Sequence, residues 1–141
     1  VRALKVTALV DVETLYITDI HSTTSKKHDA KIGPQVARRN AGDLRSLAAD
    51  RGYDAKVFRD ELRDNGVRPL IKHRIMNPLD HAHNARMDGD RYHQRSMSET
   101  VYSSIKRTLG SAVRARSWWL EFREMLLKAA VYNLRRSVRY P

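Results

Sequence analysis

The chain has 141 residues, with 27 Lys plus Arg against 16 Asp plus Glu and a net charge of +11. Hydrophobic residues at 41% and charged residues at 30% allow a packed core and argue against wholesale disorder. Cysteine is absent, which excludes a disulfide scaffold, a thiolate metal site and a cysteine nucleophile, and no apolar run reaches the ~18–20 residues of a membrane span.

The length suits one domain. The positive excess is the footprint of a polyanion binder, nucleic acid foremost, with a merely soluble basic protein as the bland alternative. Val1-Arg2-Ala3-Leu4-Lys5 lacks the apolar core of a signal peptide, so a cytoplasmic protein is expected. The sequence starts at Val1 and enters a strand-like run almost at once, which suggests processing or a fragment.

In chain order, Leu4–Val10 and Leu15–Ile20 alternate and are rich in β-branched residues, and the polar Asp11-Val12-Glu13-Thr14 between them predicts a β-hairpin. His21 to Lys27 reads as a loop. Asp29 to Asn40 reads as a helix interrupted at Gly33-Pro34. Leu44 to Asp50 is a short apolar strand ending in an acid. Asp54 is placed to cap a helix over Ala55–Asn65, with Val57, Phe58 and Leu62 as its apolar face and Gly66 as its stop. Val67–Ile71 is a second short strand, so the middle of the chain reads β-α-β with parallel pairing. His73 to Asp90 reads as a polar loop. One long helix is expected over Arg91–Leu109, and a second over Ala115–Arg136 with Trp119, Phe122, Leu126, Ala129 and Ala130 on one stripe.

The chemistry concentrates between Tyr92 and Lys106. On one helix at ~100° per residue, Tyr92, Arg95, Glu99 and Lys106 share a face about 60° wide, while Met97, Val101, Ile105 and Leu109 seat the opposite side on a core. A carboxylate among two cations and a phenol can hold a divalent metal while Arg and Lys grip phosphates beside it, the combination that phosphoryl transfer on nucleic acid requires. The plain alternative is a solvated helix face with Arg95–Glu99 as a routine i,i+4 pair.

The spacing of Tyr92, Arg95, Glu99 and Lys106 resembles the Tyr-Arg-Glu-Lys signature of DDE transposases of the insertion-sequence-four group and their archaeal and bacterial relatives. Chance produces that spacing in about one chain in several hundred of this composition. Leu47-Ala48-Ala49-Asp50-Arg51-Gly52-Tyr53-Asp54 resembles the segment around the second acid of that family, which puts the acid at Asp50. The resemblance runs from Leu4 to Arg136. It implies an RNase H-like α/β fold and metal-dependent cleavage and strand transfer of DNA, with Mg²⁺ or Mn²⁺ held by Asp50, Glu99 and a third acid. It further implies DNA contacts from Tyr92, Arg95 and Lys106. The implied partners are double-stranded DNA, at transposon ends and targets, and further copies of the protein as a homodimer or multimer. It also implies nucleoid association.

One element of the pattern is missing. The family carries its first Asp at the end of a central strand that precedes two antiparallel strands. Here a single hairpin precedes the Asp50 strand, and Asp11 reads as a turn residue. The expectation is therefore a partial RNase H-like domain over 1–141: a β-hairpin, then β-α-β, then two long helices, lacking the first central strand, poorly stable and inactive alone. A cationic DNA-binding relic or regulator, an RNase H-like nuclease of another family and a basic structural protein are the alternatives. His73, His81, His83 and His93 match no common zinc spacing and read as loop residues. Lys26-Lys27, Arg38-Arg39, Arg135-Arg136 and Arg139 read as solvated charge that adds non-specific DNA affinity. Trp118-Trp119 reads as core rather than as a base-stacking pair.

Overall fold

A computed structural model describes residues 4–23 and 29–141; Lys26-Lys27 lies outside the described residues. Two compact units emerge, Val1–Lys27 with Met97–Pro141 and His28–Ser96.

The first unit begins with the expected hairpin. Strand β1 (Lys5–Val10) pairs antiparallel with β2 (Ile17–Thr23), in register from Lys5 opposite Thr23 to Val10 opposite Ile17. The second strand runs to Thr23, so His21 continues the ladder where a loop was expected. Asp11 builds the connection. Its carboxylate accepts from the Glu13 amide at 3.1 Å and the Thr14 hydroxyl at 2.6 Å, and its carbonyl accepts from the Leu15 amide at 2.8 Å. This is an Asx-type turn. It is closed by Leu15 at φ 60°, a left-handed conformation that costs a branched residue about 1 kcal/mol.

Helix α5 (Met97–Leu109) and helix α6 (Trp118–Arg139) cover this hairpin. Val101 and Ile105, one turn apart on α5, are buried with Ile17, Ala129 and Tyr132, as the helical spacing requires. Helix α6 also acts as a neighbouring strand would. The Asn133 side chain accepts from the Ile17 amide at 3.0 Å and donates to the Ile17 carbonyl at 2.9 Å, and the Tyr132 hydroxyl donates to the Leu15 carbonyl at 2.9 Å. The exposed edge of β2 is satisfied there by side chains.

The core stripe of α6 differs from the expected one. Met125, Ala129 and Tyr132 are buried, whereas Trp118, Trp119, Leu126 and Ala130 are exposed. Two apolar faces compete on this helix, and the hairpin takes the one that carries the Tyr132 and Asn133 polar groups. Ser117 caps α6 by accepting from the Leu120 amide at 3.4 Å, two residues beyond the expected start.

The second unit is a β-α-β element with further helices. Helix α1 (Asp29–Asn40) runs unbroken through Pro34. Gly33 serves packing: a Cβ there would run into the Tyr53 ring, so the bare backbone lets α1 close on the turn that holds Tyr53. Strand β3 (Ser46–Ala49) is followed by Asp50 and a 3₁₀ turn over Arg51–Tyr53, then helix α2 (Lys56–Asp64) and strand β4 (Arg68–Ile71). The strands pair in parallel, Ser46 opposite Arg68 and Ala49 opposite Ile71. Phe58 and Leu62 bury the inner face of α2 with Ala37, Val67 and Ile71, while Val57 is exposed, against expectation. Gly66 at φ 75° ends the helix. Asp54 does not cap α2; that position is Ala55, with no side-chain bond. Asp54 pairs instead with Arg59 and accepts from the Arg74 amide at 2.6 Å.

The expected loop from His73 to Asp90 holds helix α3 (Pro78–Arg86). Asn77 and Asp80 form a reciprocal capping box with Pro78 at the first helical position, and the signal was present in the sequence. The expected helix over Arg91–Leu109 is broken. Helix α4 (Gly89–His93) leads into a 3₁₀ turn over Gln94–Ser96 before α5 begins.

Replacing Asn133 with Leu leaves the Ile17 amide and carbonyl without partners. We expect a loss of about 1–3 kcal/mol in unfolding free energy, read from the urea midpoint. An unchanged midpoint would show that water serves Ile17 equally well.

Candidate functional site

The parallel pair sets the geometry. Asp50 follows the last residue of β3 and Lys72 follows the last residue of β4, and Ala49 and Ile71 are register partners. Both side chains therefore start from the carboxyl edge of the same two strands, where open α/β sheets place their sites. The Asp50 side chain is 70% exposed and accepts a hydrogen bond from Arg95 Nε at 2.8 Å.

Tyr92 supports this pair from below. Tyr92 is 5% exposed, and its ring carries two cations, the Arg95 guanidinium 4.5 Å and Lys72 Nζ 4.7 Å from its centroid. Cation–π attraction at this range is worth about 0.5–2 kcal/mol per contact and fixes where the charges sit. The sequence-predicted Asp50, Tyr92 and Arg95 thus come together in the second unit, joined by Lys72, which sequence reasoning missed. Its signal was positional: it ends the second parallel strand as Asp50 ends the first.

Glu99 and Lys106 belong to the first unit. Glu99 is exposed in the first turn of α5 and Lys106 is exposed in its last turn. Seven residues apart, they lie on one helix face about 10 Å from each other along the axis. The 3₁₀ turn at Gln94–Ser96 ends the continuous helix on which all four signature residues were projected, so that projection holds for Glu99 and Lys106 alone.

His73 and His83, beyond the end of β4, have a structural role. His73 Nδ1 lies 3.0 Å from Asp80 Oδ1, and its ring stacks on His83 with centroids 3.6 Å apart. Asn84 holds the His73 backbone from both sides, accepting at 2.8 Å and donating at 3.0 Å. Amide donors from Met76 and Asn77 and the His73 ring hold the Asp80 carboxyl below its ordinary range. Burial, with the charges of His73 and Arg59 beside it, holds His83 below the usual imidazole range.

Among the described residues no group of three His, Asp or Glu side chains is gathered to hold a metal ion. The Asp50 carboxylate has the right chemistry for one, but its near oxygen faces a guanidinium. As they stand, the described residues do not make a complete metal centre.

The sequence profile of the Transposase DDE domain family matches residues 1–134. The chain belongs to that family. Comparison with curated proteins and comparison with solved structures each returned no match. Family membership implies DNA binding, and DDE transposases typically use a divalent metal. No helix among the described residues is long and apolar enough to cross a membrane.

The His83 shift gives a pH dependence with a definite sign. Because His83 is held below its ordinary value in the fold, its contribution is complete above the unfolded imidazole value of about 6.5 and is lost as pH falls through the lower folded value. The urea midpoint should decline as the pH is lowered below neutrality, and His83→Gln should flatten that decline. An equal decline in the variant would assign the effect elsewhere.

Proposed function

We propose that these residues are the C-terminal portion of an insertion-sequence DDE transposase catalytic domain of RNase H-like fold. In this reading Asp50 and Glu99 are two of its three acids. The observation that carries the reading is the Asp50–Arg95 pair seated on Tyr92 at the carboxyl end of the parallel strands. It supports the reading by bringing Asp50, the proposed second acid, beside Tyr92 and Arg95 of the Tyr-Arg-Glu-Lys spacing.

Arg95 and Lys106 would contact DNA phosphate, and Lys72 would join them. Tyr92, with its ring buried and its face occupied by Lys72 and Arg95, acts as a positioning residue and not as a base-stacking one. The metal, Mg²⁺ or Mn²⁺, would be held by Asp50 and Glu99 together with an Asp contributed by sequence outside these residues. When bound it would activate the attacking oxygen and stabilise the leaving one.

Two features support a missing strand. The β1–β2 and β3–β4 sheets have two strands each, so β1 and β3 each have a single hydrogen-bonded neighbour among the described residues. In addition, Asp11, the one acid that follows an early strand, is consumed by its turn. The chain alone would then bind duplex DNA as a cationic fragment and leave it uncut.

Two measurements test this. Duplex binding should weaken with salt, and Lys72→Gln or Arg95→Gln should each reduce the log–log salt slope by about 1. Incubation of labelled transposon-end duplex with the chain in Mg²⁺ or Mn²⁺ should yield no nicked product. Metal-dependent nicking that disappears in Glu99→Gln would overturn the claim that two acids are insufficient, and salt-independent binding would remove the phosphate contacts.

A further inference from the structure

Strand β4 ends at Ile71, opposite Ala49, and β3 gives way there to Asp50 and a 3₁₀ turn. Among the described residues, those after Ile71 have no strand beside them, and their backbone groups need other partners. Side chains supply them. The Asn84 side chain accepts from the His73 amide at 2.8 Å and donates to the His73 carbonyl at 3.0 Å, the pair of bonds a neighbouring strand would give one residue. The next amide, that of Arg74, donates to Asp54 Oδ2 at 2.6 Å.

Helix α3 is organised around this bracket. None of its residues is fully buried, so an apolar core does not hold it in place. Asp80, His83 and Asn84, at i, i+3 and i+4, share one face of the helix. Asp80 Oδ1 lies 3.0 Å from His73 Nδ1, the His83 ring stacks on the His73 ring with centroids 3.6 Å apart, and Asn84 takes the His73 backbone. All three side chains of that face contact one residue, the one that follows Lys72.

Lys72 is thereby fixed from both sides. Before it, Ile71 is fully buried in the core under α2; after it, His73 is held by α3. Strand alternation carried one residue further turns Lys72 away from the Ile71 face, and its Nζ sits 4.7 Å from the centre of the Tyr92 ring. A lysine is among the side chains with most rotamer freedom to lose, so a fixed backbone and a ring to rest on are what give its ammonium one place. We infer that Asn84 is a positioning residue for Lys72: by bracketing His73 it holds the Lys72 ammonium over Tyr92, ready for a phosphate. The inference rests on the reading above in which Lys72 contacts DNA phosphate, but the place of the side chain can be measured without DNA.

An aromatic face shifts the protons above it upfield, so the Lys72 ε-methylene should resonate upfield of the usual lysine range in NMR spectra of the chain, with Lys72→Gln assigning the signal. Asn84→Ala should return it to the usual range. Asn84→Asp, which keeps the acceptor and loses the donor, should move it part of the way. Gly66→Ala, strained at φ 75° at the other end of β4, controls for a general loss of stability and should leave the signal in place. On duplex DNA at low salt, Asn84→Ala should weaken binding about threefold, the scale of one exposed cation–π contact, and should cost nothing further in the Lys72→Gln background. A Lys72 signal that is not upfield in the wild type, that survives Asn84→Ala, or that is lost equally in Gly66→Ala would overturn the inference. A signal that moves as expected while Lys72→Gln leaves DNA affinity unchanged would support the positioning and remove Lys72 from the phosphate contacts.

Discussion

The parallel pairing of β3 with β4 is the constraint on which the candidate site depends. A parallel pair ends both strands at the same edge, so the residues just beyond them start side by side. Asp50 and Lys72 inherit that placement from the backbone alone. Helix α2 makes the pairing possible by burying Phe58 and Leu62 over Val67 and Ile71, residues almost wholly removed from water.

The electrostatics built on that edge are internally opposed. An acid with the chemistry to bind a cation is held by Arg95, and Arg95 is held in turn by the Tyr92 ring. An exposed ion pair of this kind contributes about 0–1 kcal/mol, so the arrangement can be opened by a competing phosphate or cation at little cost. Arg95 is thus poised between a carboxylate and the polyanion that the net charge of +11 attracts. Family membership makes DNA that polyanion.

Much of this was legible in the sequence, for identifiable reasons. The hairpin, the β-α-β element and the buried Val101–Ile105 face follow from period-two and period-3.6 patterns that burial enforces. Asp50, Tyr92 and Arg95 were found through motif spacing, and the structure brings those three together. Lys72 escaped because its relevance comes from strand pairing, which has no local signature. The break at Gln94–Ser96 escaped because polar residues there are as compatible with helix as with a tighter turn. Helix α3 was read as loop because its apolar content is low, although Asn77, Pro78 and Asp80 spell its start. The core face of α6 was misassigned because the helix has two apolar stripes. The choice between them was made by polar groups, Asn133 and Tyr132, that bond to β2.

The central claim is that Asp50 and Arg95 form one phosphate-handling unit in which the carboxylate restrains the guanidinium. A double-mutant cycle on duplex DNA affinity at low salt tests it most directly. Asp50→Asn removes the restraint and should tighten binding about threefold, well within the worth of one exposed ion pair, and the gain should vanish in the Arg95→Gln background. A gain of equal size in both backgrounds, or no gain in either, would contradict the account.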